Sequence, residues 1–299
     1  LDDFHLGPAE APWQQRYWQL SAGPMRSRLA LASGPHLQAY GKWMSARVVQ
    51  QGGVPAGRLC FALLGGAHGA GPARAQGREL SSDRLWLLRG GEEFQLQRPA
   101  GMELLSLSFD AEAFAALADA AGRPGLMKRL PPLVQLAPGA LDVLRHRLAA
   151  LFAAGAADPA PALFDELARL LDGADGVSQS RGSAAASYVV AQCHRLVLES
   201  GAAPPDIDTL CRRLRISRRS LQAGFRQVCG MTPVEYLRGL RLNLVRARLR
   251  QTSGAELSVA MAAEAQGFEQ LSHFGARYKA LFGELPSRTA RGADSRSAR

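Results

Sequence analysis

The chain has 299 residues, 47% of them hydrophobic, which suffices for a buried core and favours two domains over one. No apolar run reaches the roughly 18 residues that span a bilayer, since Leu148 to Phe164 is interrupted by Asp158, Pro159 and Pro161. The net charge of +10 is unevenly placed: residues 1–180 hold 17 basic and 17 acidic side chains, and residues 181–299 hold 19 and 9. A neutral front and a basic back point to a polyanionic partner for the back alone.

The start at Leu1 leaves room for a trimmed N-terminus, and no signal peptide is visible. Short apolar or alternating segments predict strands over 26–32, 46–50, 58–64, 85–88, 93–97 and 103–109. The stretch LLRGGEEFQLQ reads as a hairpin turning at Gly90 and Gly91. DAEAFAALADAAG then predicts a helix capped by Asp110 and stopped at Gly122, and two more helical patterns cover 140–153 and 161–171. DGADGVSQSRGS is polar and glycine-rich, and the charge balance changes there, so a domain boundary is expected near residue 180.

The basic third contains one pattern twice. Leu221, Phe225, Gly230 and Pro233 recur 53 residues on as Phe274, Tyr278, Gly283 and Pro286. Ile207, Leu210 and Cys211 recur 52 residues on as Val259, Ala262 and Ala263, so the second copy has one extra residue in its turn. Each copy reads as helix, tight turn, helix, with Ser217 capping the trailing helix of the first. A helical hairpin in a bundle would share the apolar positions but not the turn glycine and following proline. Between the copies, TPVEYLRGLRLNLVRARLR predicts a long helix starting at Pro233, with Thr232 and Glu235 at capping-box spacing.

On a 100° wheel Arg219, Gln222, Ala223 and Arg226 face away from the apolar side of the first trailing helix, as do Ser272, Gly275, Ala276 and Lys279 in the second. Arginine can pair bidentately with guanine, glutamine with adenine, and alanine can meet a thymine methyl. Arg218, Arg241 and Arg246, together with Arg226 and Lys279, are candidates for phosphate, and His273 for base or backbone contact.

GFEQLSHFGARYKALFGELPS, SRRSLQAGFRQVCGMTPVEYLRGLRL and the distance between them resemble the paired helix-turn-helix domain of the AraC/XylS transcription regulators, over about residues 184 to 290. RRSLQAGFRQVCGMTP and YLRGLRLNLVRARLR are weakly similar to the branch containing ethanolamine-utilisation regulators. The resemblance implies an α+β chain: a β-rich cupin-like barrel over 1–130 that binds an effector, a helical connector and dimerisation segment over 131–180, an all-α DNA-binding domain over 181–290, and a disordered tail over 291–299. It implies double-stranded promoter DNA, a small-molecule effector, RNA polymerase and a second copy as partners, and a cytoplasmic location. Many family members place arginine where this chain has Ala223 and Ala276, so base specificity does not transfer simply.

No catalytic group, cofactor or metal is expected. The six histidines form no close pair, and His68 in its glycine-rich loop reads as a loop or pocket residue. The four cysteines have no ligand spacing. Trp43 and Trp86 are the candidates for an effector pocket, aromatic residues serving equally well as barrel filling. Two rival readings stand beside the regulator: an architectural DNA binder without effector, and an enzyme with an appended DNA-binding domain, which would need a reactive cysteine in an electropositive site, whereas Cys211 sits at a small-residue helix-packing position.

Overall fold

The computed structural model describes residues 15–66, 71–154, 158–172, 175–176 and 181–291. They form two units, one of residues up to Tyr17 with Arg26–Gln179, the other of Trp18–Met25 with Ser180–Arg299.

The first unit contains β1 (Gln15–Gln19, whose last two residues count with the second unit), β2 (Ser27–Ser33), β3 (Leu37–Met44), β4 (Val48–Gly53), β5 (Arg58–Leu64), β6 (Ala73–Ala75), β7 (Arg78–Leu80), β8 (Arg84–Arg89), β9 (Glu93–Arg98) and β10 (Glu103–Asp110). Helices α1 (Ala111–Ala120) and α2 (Leu126–Arg129), strand β11 (Leu133–Gln135), helices α3 (Asp142–Ala154) and α4 (Ala160–Leu171), and strand β12 (Asp175–Gly176) complete it. The strands make two sheets, ordered β1-β4-β9-β6-β7 and β12-β11-β8-β5-β10-β3-β2. This is the cupin-like double-sheet layout expected of the front of the chain.

Alternation along the larger sheet sorts its side chains by face. Leu59, Phe61 and Leu63 of β5, and Leu105, Leu107 and Phe109 of β10, meet Phe114, Leu148, Phe164 and Leu167 of the helices. Cys60, Ala62, Trp86, Leu88 and Leu104 point the other way, into a core shared with Phe94 and Leu96 of the smaller sheet. The helices of the expected connector, α3 and α4, thus contribute to the sheet's own core. Asp110 caps α1 by accepting from the amides of Glu112 and Ala113 at 3.1 and 3.0 Å.

The expected hairpin at Gly90 and Gly91 does not form. Strand β8 pairs with β5 and β11 in one sheet, whereas β9 pairs with β4 and β6 in the other. The turn is a corner between sheets: Gly91 takes φ 84°, and a Cβ on Gly90 would sit 2.9 Å from the Pro55 carbonyl. His68 lies outside the described residues, as do residues 292–299 of the expected tail.

The second unit is helical: α5 (Arg181–Glu199), α6 (Ile207–Leu214), α7 (Arg218–Cys229), α8 (Pro233–Gln251), α9 (Val259–Glu264) and α10 (Leu271–Phe282), ended by a 3-10 turn at Pro286–Arg288. At 1.5 Å per residue α8 is about 28 Å long. It begins with the full capping box, Glu235 N–H donating to Thr232 Oγ1 and Thr232 N–H to Glu235 Oε2.

Candidate nucleic-acid interface and effector cavity

The two copies of the repeat fold as two helix-turn-helix units, α6 with α7 and α9 with α10. Their turns close alike: Ile216 N–H reaches the Cys211 carbonyl and Phe268 N–H the Ala263 carbonyl, both at 3.1 Å. The pivot is left-handed in each, Gly267 at φ 73° but Arg215 at φ 54°, a conformation non-glycine residues seldom adopt. The extra residue of the second turn falls after this shared corner, where it disturbs no hydrogen bond of the corner itself.

Leu221, Phe225 and Val228 of α7 are buried, as are Phe274, Tyr278, Leu281 and Phe282 of α10. Phe225 packs edge-on against Tyr236, whose hydroxyl meets His194 Nδ1 at 2.7 Å. Burial drives the His194 pKa down to about 3, so its imidazole is neutral. Phe268, Phe274, Tyr278 and Phe282 form a continuous aromatic column in the second unit. Helices α7 and α10 end on left-handed glycines, Gly230 and Gly283.

The opposite faces are open. Arg218, Arg219, Gln222, Ala223 and Arg226 of α7 are exposed, as are Ser272, His273, Ala276 and Lys279 of α10. Among the further exposed residues on these helices, Gln227 and Arg277 escaped the sequence reading. Arg277 occupies the place of Gly224, which is buried because α5 lies over it, with Ala186 3.8 Å from where a Cβ would stand. Nothing in the repeat pattern reports that extra helix, so the two positions look equivalent in sequence.

The cations differ in availability. Arg218 makes a two-pronged contact with Asp208 across the first turn, its Nε 2.7 Å from Oδ1. This pairing holds the Asp208 carboxyl below its ordinary range. Arg241 and Arg246, expected as phosphate ligands, serve packing: Arg241 is partly buried and donates to the Pro205 carbonyl at 2.7 Å. Arg246 pairs with Glu284 at 3.1 Å and lies over the Phe282 ring. Helix α7 is capped by Ser217, which accepts from Ser220 N–H at 3.0 Å, whereas Gln270 gives α10 no side-chain cap. The first amides of α10 therefore keep their donors.

A strap, Trp18–Met25, is built into this unit although its sequence neighbours belong to the other. Gln19 and Asn243 of α8 exchange two bonds: Gln19 N–H donates to Asn243 Oδ1 at 3.0 Å, and Asn243 Nδ2 to the Gln19 carbonyl at 2.8 Å. Gln19 Nε2 reaches the Leu281 carbonyl at 2.6 Å, and Gly23 N–H the Ala280 carbonyl at 2.9 Å. Those two carbonyls end α10, so the strap caps α10 while gripping α8. Trp18 stands edge-on to His194, ring centroids 5.7 Å apart.

In the first unit, a cavity opens between the two sheets. Trp86, Leu88, Phe94, Leu96 and Leu104 make an apolar wall; Gln15, Tyr17, Tyr40, Gln50, Lys42 and Arg98 bring polar groups. Trp86 is in that wall, edge-on to Phe94 at 5.8 Å. Trp43 does not line the cavity: its Nε1 donates to the Gly101 carbonyl and Arg28 lies over its ring.

Arg98 is buried, with Nη2 donating to the Lys42 carbonyl at 2.6 Å and Nη1 to Gln50 Oε1 at 3.2 Å. The Lys42 ammonium sits 4.0 Å from the Tyr17 ring centre. Burial, reinforced by the neighbouring Arg98 charge, lowers the Lys42 pKa to about 7 and burial lowers that of Arg98 to about 10. The sequence reading missed both; a charge inside the β3 alternation was the signal.

Cys60, Cys193 and Cys211 carry no reactive thiolate signature. Burial pushes Cys193 up to about 12 and raises Cys60 and Cys211, the reverse of an activated nucleophile. Among the described residues no three His, Cys, Asp or Glu side chains cluster as metal ligands, and no helix is long and apolar enough to cross a membrane.

A helix-turn-helix domain family matches residues 210–292. The XylDLEGF operon transcriptional activator 1 of Pseudomonas putida is 36% identical over 85 residues, 28% of this chain and 26% of its own length. The HTH-type transcriptional regulator CdhR of Pseudomonas aeruginosa is 41% identical over 78 residues, 26% of this chain and 22% of its own. The chain thus spans about a quarter of the length of these relatives. A solved transcriptional regulator with an AraC-type DNA-binding domain, from Chromobacterium violaceum, is 30% identical, covering 37% of this chain and 93% of that one at a TM-score of 0.31.

Proposed function

We propose that this chain, which belongs to the AraC/XylS family through the helix-turn-helix domain of residues 210–292, is a ligand-responsive, sequence-specific transcription regulator acting on promoter DNA in the cytoplasm. The observation that carries the reading is the pair of exposed helix faces, set on buried cores of the same pattern and joined by one capped helix of about 28 Å. That length suits two recognition helices entering successive major grooves, about 34 Å apart.

The two faces divide the labour. Arg219, Gln222 and Arg226 give α7 the hydrogen-bonding reach to discriminate bases. On α10, Ser272, His273 and Ala276 offer short contacts, while Lys279, Arg277 and the uncapped first amides suit phosphate. Arg218 is poised beside a phosphate path but is shared with Asp208. Binding of Arg219→Ala and Ser272→Ala to operators mutated one half-site at a time tests this division. Arg219→Ala is expected to relax discrimination at its half-site by about 1–3 kcal/mol; an equal loss from Ser272→Ala would refute the asymmetry. With about six phosphates neutralised, log affinity should fall with log salt at a slope near −5, and a slope near zero would refute DNA binding as the function.

Effector response is assigned to the cavity of the first unit, with Trp86 in its wall. Tyr17, which lines the cavity, immediately precedes Trp18, where the strap on α8 and α10 begins. A ligand that moves Tyr17 thereby acts on the element that caps the second recognition helix, a two-state coupling rather than a change in the reading face itself. A second copy and RNA polymerase are the further partners; the exposed Val143 on α3 supports the first. Recovery of bound fragments from the source genome would identify the promoter and, through its neighbouring genes, the effector's class.

A further inference from the structure

The cavity chemistry narrows the effector, given the ligand-responsive reading above. We infer that it receives a small organic monoacid, whose carboxylate meets Arg98 and Lys42 and whose apolar body lies against Trp86, Phe94 and Leu96. Arg98 is 1% exposed, and its three observed bonds all go to neutral acceptors: the Gln50 amide and the carbonyls of Lys42 and Met102. Its Nε–H is buried with no acceptor among the described residues. Lys42, 5% exposed, brings a second basic group to the same cavity. No aspartate or glutamate lines the cavity among the described residues; Glu103, the acid acting on Arg98, is not in its wall.

Burying a guanidinium among neutral groups is costly unless an anion joins it. A carboxylate supplies that anion and matches the planar donors of arginine. Arg98 acts on Lys42 as a like charge, and an anion beside both relieves that repulsion. A phosphate or sulfate would satisfy the charge but leave the aromatic and leucine wall without a partner, whereas a neutral sugar would bring no charge to Arg98 and Lys42. The other polar groups sit on β1, β3 and β4, and Arg98 follows Phe94 and Leu96 at alternate positions of β9, so charge recognition and body recognition adjoin along one strand.

The test uses the full chain, titrated with 3-phenylpropanoate and hexanoate, their amides, inorganic phosphate and glucose, followed by tryptophan fluorescence and calorimetry. Each acid is expected to bind at least tenfold more tightly than its amide, phosphate and glucose not at all. Trp86→Phe should remove most of the fluorescence response. Arg98→Gln should bring acid and amide within twofold of each other. Because Arg98 is buried, folding of that variant is checked by circular dichroism and DNA affinity, and Lys42→Met provides a second variant with the same expected loss of preference. Equal binding of acid and amide, acid preference surviving both substitutions, or no acid binding at millimolar concentration overturns the inference. A neutral ligand that changes DNA occupancy would overturn it and leave the regulator reading standing. Acid binding that never alters DNA occupancy would support the site and sink the ligand-responsive reading.

Discussion

Asn243→Ala should loosen the strap without touching either DNA-facing helix surface. The substitution deletes the acceptor for the N–H and a donor to the carbonyl of Gln19, which is only 2% exposed. Each buried polar group left unpaired costs about 1–3 kcal/mol, so with partial relaxation the pair is worth about 2–4 kcal/mol locally. Native-state hydrogen exchange reads this residue by residue: a loss of about 2 kcal/mol corresponds to roughly thirtyfold faster exchange. The Gln19 amide must respond because its own partner is gone. The diagnostic amide is Gly23, four residues away and bonded to the Ala280 carbonyl of α10. If the strap moves as one element, Gly23 exchange accelerates with Gln19, while amides within α3 of the other unit stay unchanged. Acceleration at Gln19 with an unaltered Gly23 would show two separate contacts and refute transmission along the strap.

Acid sensitivity follows from His194. Its folded pKa of about 3 lies below the ordinary 6.5, so between these values the unfolded chain binds a proton that the folded chain does not. Its contribution is present above pH 6.5 and is lost as pH falls toward 3; the drop in Tm from pH 7.5 to pH 5 should therefore be larger in the parent chain than in His194→Gln, and equal drops would refute it. Thr232→Ala removes one half of the capping box on α8 and should cost about 1 kcal/mol in urea denaturation, with an unchanged m-value. Gly283→Ala should cost more than that, because φ is 76° and the new Cβ would lie 2.9 Å from Pro24 Cδ; a neutral effect would mean the strap yields freely at that point.

What the sequence reading recovered and what it missed divide along a physical line. Strand β5 was legible because both of its faces are apolar, and β10 because Leu105, Leu107 and Phe109 alternate with Ser106 and Ser108. Strands β1 and β3 were not: Gln15 and Tyr17, and Tyr40 and Lys42, turn polar groups inward because they line the cavity. On the other face of β3, Gly41 sits where a Cβ would come within 3.0 Å of Phe152, so that side carries no bulky signature either. Strand β9 was read as ending at Gln97, one residue short of Arg98, since a buried arginine resembles a loop residue in any hydrophobic pattern. A strand pattern fails where the interior is built for something other than packing, and these failures collect around a single cavity.

The DNA-binding half shows the converse. Its repeat was legible because the signals are architectural: turn, cap and core residues recur with their spacing, down to the one-residue insertion after the left-handed corner. Those same residues are the ones hidden from DNA, which is why a match that fixes the fold so firmly leaves the base preference open. Divergence between the copies is instead written at positions the pattern does not mark, such as Gly224 under α5 against the exposed Arg277. It is also written in the capped α7 against the uncapped α10, whose C-terminal end the strap supplies with partners. The copy whose helix lacks a side-chain N-cap is thus the one tied to the strap. An effector acting through that segment would alter how firmly the second unit anchors and leave the first unit's base preference intact.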